Sequence, residues 1–266
     1  MIDYMKKCIV LCADDYGQAP AISQGILALL KMARLSAVSC LVTTPYWPEH
    51  AKWLQPFQSN IDIGLHFNLT LDKSSLGSLM AKSMIRQLDA GLIAAELNTQ
   101  IDAFLTATGR LPDFIDGHQH VHQFPIIRDA LLKVYLERFP DKKPYIRVAQ
   151  FSSYYLSLKK AIVQLMGAHA LIKRLDENKI KYNHSFSGMY SFTNASKYPA
   201  LFPSFLAEIG AGGLIMCHPG MPSPGPTDPI SMARFLEYQY LSSLRFKMDC
   251  DTNEIAIMRF EDCIAK

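Results

Sequence analysis

Ala13-Asp14-Asp15-Tyr16-Gly17 follows the apolar run Cys8-Ile9-Val10-Leu11-Cys12, and these ten residues decide the reading of the chain. The run is short, partly β-branched and closed by a turn signal at Gly17, so it predicts a buried strand. Two adjacent carboxylates at the end of such a strand are costly, because like charges crowd and burial disfavours both ionised forms. A cation beside them removes that cost. Successive side chains of a strand point to opposite faces, so the two aspartates should do different jobs. One can hold a metal while the other stays free as a base. Taken alone, the pair reads more readily as a helix cap plus a turn residue than as a site; the rest of the chain decides.

Working outward, apolar strand-like runs alternate with amphipathic segments. Strands are expected at 37–44, 61–70, 114–118, 145–148, 182–192, 213–217 and 254–260. Helical spacing recurs at Ile22, Ile26 and Leu29, at Leu97, Ile101 and Phe104, and at Ile127, Leu131 and Val134. Further helices are expected over 49–54, 156–175, 201–209 and from Asp228-Pro229 to about Phe246. Gly109 should stop the helix before it. The stretch 72–86 has weak periodicity and reads as a long loop, and 221–229 as a Pro-rich loop. Seven or eight strands separated by helices predict an α/β chain forming a distorted (β/α) barrel of one domain over 1–266, with an open doubly wound sheet as the alternative. Both folds place ligands at the carboxyl ends of parallel strands.

The polar residues collect at those ends. Asp14-Asp15 close the first strand, His66 the third, Asp116-Gly117-His118-Gln119-His120-Val121-His122 the fourth and His218-Pro219-Gly220 the seventh, while Arg147 lies on the fifth. Five of the eight histidines are in this set, and buried polar groups in such number need partners. If extended, Asp116, His118, His120 and His122 face one way at about 6–7 Å spacing, so one metal reaches at most one or two of them. Mixed His and carboxylate donors without Cys suit a catalytic divalent ion rather than a structural zinc.

Composition narrows the classes. The 266 residues are 49% hydrophobic with net charge +3, enough for a full core and without the Lys/Arg block of a nucleic-acid footprint. The six cysteines show no Cys-x-x-Cys pair; a reduced, cytoplasmic protein is expected. No secretory leader and no membrane span is read from the sequence.

Ala13-Asp14-Asp15-Tyr16-Gly17, Gly64-Leu65-His66 with Leu69-Thr70, Asp116-Gly117-His118-Gln119-His120-Val121-His122 and Cys217-His218-Pro219-Gly220 together resemble the YdjC family of carbohydrate deacetylases, which includes chitooligosaccharide and hopanoid-biosynthesis deacetylases. The match spans nearly the whole chain in the family's order. The resemblance implies a glycoside hydrolase/deacetylase type of barrel and a hydrolase that removes the N-acetyl group from an acetylated amino sugar or oligosaccharide. It implies one divalent metal ion, Mg or Zn, on Asp15, His66 and His118, with Asp14 as base. Tyr16 stands for the commoner Phe, Gln119 for a His of some members, and 183–188 matches only loosely.

Around that core, His218 is the first choice for the acid that protonates the leaving amine, with His120 and His122 as alternatives. Arg147 either holds Asp14 ionised or binds a sugar hydroxyl. His120, His122 and Tyr16 are candidate substrate contacts, and Tyr46 and Phe67 candidate stacking faces. The partners expected are an N-acetylated sugar and, as an open option, a second copy in a homodimer; no nucleic acid and no membrane. The competing readings are a metal-dependent phosphoesterase, which needs a second metal, and a non-catalytic carbohydrate-binding protein.

Overall fold

The computed structural model describes residues 6–70, 75–140, 144–150, 167–222 and 228–264. Among these residues eight strands form one parallel sheet: β1 (Lys7–Tyr16), β2 (Ala37–Cys40), β3 (Asp62–Phe67), β4 (Phe114–Gly117), β5 (Tyr145–Ile146), β6 (Phe186–Ser187), β7 (Gly213–Cys217) and β8 (Ile255–Ile257). The order is β5-β4-β3-β2-β1-β7-β6, and β8 pairs with β1. Ile9 pairs with both Gly213 of β7 and Ile257 of β8. β8 therefore takes the edge of β1 that β2 takes further along, from Cys12 onward.

The sheet curls until its edges meet. Ile146 bridges Tyr182 in parallel, Ile146 N–H donates to Lys181 O, and Phe186 N–H donates to Gln150 O. This is the expected barrel, distorted where β5 and β6 shrink to two residues each. Ile9, Val10, Leu11, Cys12 and Ala13 are completely buried, as a central parallel strand requires. Gly17 makes the turn after β1 at φ 89; a Cβ there would meet Leu41 O at 2.7 Å, so both the backbone and the space call for glycine. Asp89 caps the helix Ala90–Thr108, and Gly109 ends it at φ 70, as expected.

Several boundaries differ from expectation. Most strands are shorter than the expected runs, but β1 is longer, reaching from Lys7 through the Asp pair to Tyr16. The stretch 72–86 is not simply a loop: a helix covers Leu76–Met84, capped by the Ser75 side chain. Only Leu79 and Ser83 of it are buried, which is why its periodicity is weak. The helix starting near Asp228 is Ser231–Ser242; Ser243 then caps a second one, Leu244–Thr252. Much of the helix expected over 156–175 lies outside the described residues, which show its end as His169–Glu177.

The cysteines need a correction. Cys8 and Cys263, 255 residues apart, form a disulfide that ties β1 to the helix Phe260–Ile264. Pairing of β8 with β1 brings the two chain ends together, and no sequence spacing announces that. The other four cysteines are free and buried. No helix among the described residues is long and apolar enough to cross a membrane.

Candidate active site

The pairing of β1 with β2 slips between Ala13 and Tyr16, so the Asp pair sits on a bulge. Asp15 adopts left-handed backbone there, φ 67. Bulges re-aim side chains at sheet ends, and this one sends the two carboxylates to different partners.

Asp15 Oδ1 lies 3.0 Å from His118 Nδ1 and 3.4 Å from His66 Nε2, and the two ring nitrogens are 3.3 Å apart. Donors bound at about 2.0–2.2 Å to one ion at tetrahedral or octahedral angles stand about 3–3.5 Å apart. The three atoms fit a single divalent cation. Behind them, His66 Nδ1 is 2.6 Å from Asp116 Oδ1, and Ser39 Oγ donates to the same oxygen at 2.7 Å. Nδ1–H therefore points at the carboxylate and leaves the Nε2 lone pair for a metal. Burial alone would lower the His66 pKa; Asp116, Asp15 and Asp14 outweigh it and lift the ring to about 10 in the metal-free site. Metal binding must displace that proton. Asp15 Oδ2 is taken by Arg234 Nη2 at 2.8 Å. Burial pushes the Asp15 carboxyl up, but Arg234 and His118 hold it well below the carboxylate range.

Asp14 is handled separately. Arg147 Nη1 and Nη2 donate to its two oxygens at 2.5 and 2.8 Å, and Arg147 Nε pairs with Asp116 Oδ2 at 2.9 Å. Burial opposes ionisation of Asp14; Arg147, then His66 and His218, overcome it and keep the carboxylate charged far below its usual range. Cys12, Asp14 and Asp116 also cluster closely enough to suggest a second metal group, but the Arg147 guanidinium already bridges the two carboxylates. His218 Nε2 is 3.9 Å from Asp14 Oδ2. Burial drives its ring down to about 4, against the pull of Asp14 and Asp15, so it rests neutral.

These groups open onto a cavity of about 370 Å³. Asp14, Asp15, His66, His118 and His218 line its polar side, and Met189, Tyr190, Phe192 and Met216 its apolar side. The Phe192 ring stands edge-on to His218 at 5.3 Å between centroids.

Other expected contacts lie elsewhere. The run 116–122 is not extended: β4 stops at Gly117, and His118–Gln123 coil into tight turns with Gln119 and His120 left-handed at φ 56 and 60. Two successive left-handed residues destroy the alternation, so the histidines diverge. His120 does line the cavity, its Nδ1 without a hydrogen-bond partner among the described residues and its ring against Phe186. His122 turns into the core, its Nε2 2.7 Å from Arg147 O. Tyr16 is a core residue whose hydroxyl donates to His50 O at 2.7 Å. Arg147 is buried behind Asp14 and does not reach the cavity, so it holds the carboxylates rather than a sugar. Phe67 is buried, and the exposed Tyr46 stacks on His50.

Three groups escaped the sequence reading: Arg234, Asp228, which accepts from Arg234 Nε at 2.7 Å, and Glu237. Arg234 and Glu237 are charged residues three apart on the inner face of an amphipathic helix, which was the available signal.

With this geometry in view, the sequence matches the family model described as YdjC-like protein over residues 8–252. The chain belongs to the YdjC-like family. A carbohydrate deacetylase of Enterococcus faecalis is 29% identical over 44% of this YdjC-like chain, which spans 50% of that protein. One of Xenopus laevis is 24% identical over 96% of the chain and 97% of its own length. A crystal structure from Enterococcus faecalis V583, named for cellobiose-phosphate cleavage, superposes with TM-score 0.67 at 21% identity, covering 97% of this chain and 98% of that one. A family 4 carbohydrate esterase from Streptomyces lividans, solved with acetate, shares the fold at TM-score 0.51 and 11% identity, over 94% and 91% of the two chains.

Proposed function

We propose that this YdjC-like chain is a metal-dependent carbohydrate N-deacetylase. One observation carries the reading: three donor atoms 3.0–3.4 Å apart face a cavity, and a second carboxylate stands beside them, ionised and held out of the donor set by Arg147. The named activity of the relatives supports it. Two imidazoles and one carboxylate suit a borderline ion such as zinc better than magnesium. A divalent ion on Asp15, His66 and His118 would polarise the acetyl carbonyl and acidify a water.

The chain's own residues do the proton work. Asp14 takes the proton of the attacking water through Oδ2, the oxygen that faces His218. The proton passes to His218, which releases it to the amine as the C–N bond breaks and acetate forms. A neutral resting His218 suits that order, since it must gain a proton before it can give one. The apolar wall of Met189, Tyr190, Phe192 and Met216 suits the acetyl methyl and the C–H face of a sugar ring, and His120 adds a polar contact. A two-metal phosphoesterase needs a second donor set, and Arg147 fills the candidate one. The test is acetate release from N-acetylglucosamine oligomers by the purified protein with zinc or magnesium. Release that stops with a chelator and returns with metal supports the reading; no release with any oligomer or metal overturns it.

A further inference from the structure

Glu237 is completely buried in the helix Ser231–Ser242, and the mechanism above does not use it. Among the described residues no cation pairs with it; the arginine one turn away, Arg234, is committed to Asp15 and Asp228. Burial pushes its carboxyl up to about 7. A buried carboxylate without a counter-ion is a poor stability device, since an apolar group of like volume does as well. Its two oxygens have specific targets. Oε2 accepts the backbone N–H of His218 at 2.5 Å, and Oε1 accepts the Tyr190 hydroxyl at 2.7 Å. Both targets line the cavity, and Phe192 packs edge-on against both rings. The same helix takes the other end of the turn, with Gly220 N–H donating to Arg234 O at 3.1 Å.

We propose that Glu237 is a positioning residue: it suspends the His218 turn and the Tyr190–Phe192 wall from the helix Ser231–Ser242 and so sets where the acid stands relative to the metal ligands. The proposal rests on the deacetylase reading for its assay. It makes reach, not charge, the property that matters. Glutamine keeps the reach, because its oxygen accepts from His218 N–H and its amide donates to the Tyr190 oxygen. Aspartate keeps the charge but is one methylene short of both targets, and a misplacement of about 1 Å costs on the order of a hundredfold.

The experiment compares the zinc-loaded parent with Glu237→Gln and Glu237→Asp, reading kcat and KM for acetate release and zinc affinity by competition with a fluorescent chelator. Expected are activity within about threefold of the parent for Gln, a fall in kcat of at least about tenfold for Asp, and zinc affinity within about twofold in both, because the ligand side is untouched. A general loosening of the structure would move zinc affinity as well. An aspartate variant as active as the parent overturns the proposal. So does a glutamine variant as poor as aspartate, or loss of zinc affinity in step with activity. A parent that releases no acetate refutes the deacetylase reading instead; Glu237→Asp then fails the positioning proposal if the His218 amide resonance matches the parent's.

Discussion

Replacing Arg147 by Met tests the electrostatic core of the site. Arg147 is 1% exposed and bridges Asp14 and Asp116, both buried. Methionine has a similar length and no charge, so two carboxylates would face each other in the barrel with only the His66 ring to offset them. Breaking a buried pair by removing one partner costs about 3–5 kcal/mol. Proton uptake by one carboxylate limits the loss to that range, and about 4 kcal/mol in a chain of this size lowers Tm by about 8–16 °C. Activity falls for a separate reason. With Arg147 gone, Asp14 loses the strongest influence opposing burial, so its carboxyl moves up although His66 and His218 still pull it down, and the base loses both ionisation and its fixed orientation. A general base contributes about 10²–10⁴-fold, and kcat should drop at least about a hundredfold. KM should hold, because Arg147 does not line the cavity. Circular dichroism melts at pH 7 and steady-state kinetics provide the readout. The double variant Arg147→Met/Asp14→Asn should regain part of the stability and none of the activity. A stability loss below about 1 kcal/mol, or a raised KM with kcat intact, would refute the reasoning.

Glu237→Gln should alter the dependence of stability on pH. The folded carboxyl sits at about 7 against an ordinary 4.5, so the folded state binds the extra proton between those values and the parent loses stability as pH rises through that window, by up to about 3 kcal/mol. The amide variant lacks this loss, and melts at pH 4.5 and 8 should show it gaining on the parent at the higher pH; parallel curves would contradict the burial argument. Tyr16→Phe removes one buried hydrogen bond and should cost about 1–2 kcal/mol with kcat/KM unchanged; a raised KM would put Tyr16 back among the substrate contacts. Denatured without reductant, the protein should show four free thiols, matching Cys12, Cys40, Cys217 and Cys250; six would mean that Cys8 and Cys263 are not joined.

The site was legible where one short segment carries both a strand end and its chemistry. Asp14-Asp15, Gly64-Leu65-His66 and Cys217-His218 each announce a strand by apolar content and a function by the polar residue that follows. The barrel followed from repeating that pattern. The reading failed where backbone conformation changes within a motif. Nothing in Asp116-Gly117-His118-Gln119-His120 says that Gln119 and His120 turn left-handed, so the sequence leaves open that an extended run would set His120 and His122 on the face of His118. It also failed for side chains that reach the site from a helix. Arg234 and Glu237 look like ordinary helical charges until the fold turns their face inward. Tyr16 shows the converse: its place in the motif suggested substrate, but a bulge turned it into the core. Cys8 and Cys263 lie 255 residues apart, and only the pairing of β8 with β1 makes them neighbours.

The division of labour within the Asp pair is the centre of the account, and Asp14→Asn tests it most directly. Titrated with zinc and assayed on N-acetylglucosamine oligomers, this variant should bind one ion with the parent's affinity through Asp15, His66 and His118 and release no acetate above background. Acetate release at the parent's rate, or loss of the zinc site, would contradict the account.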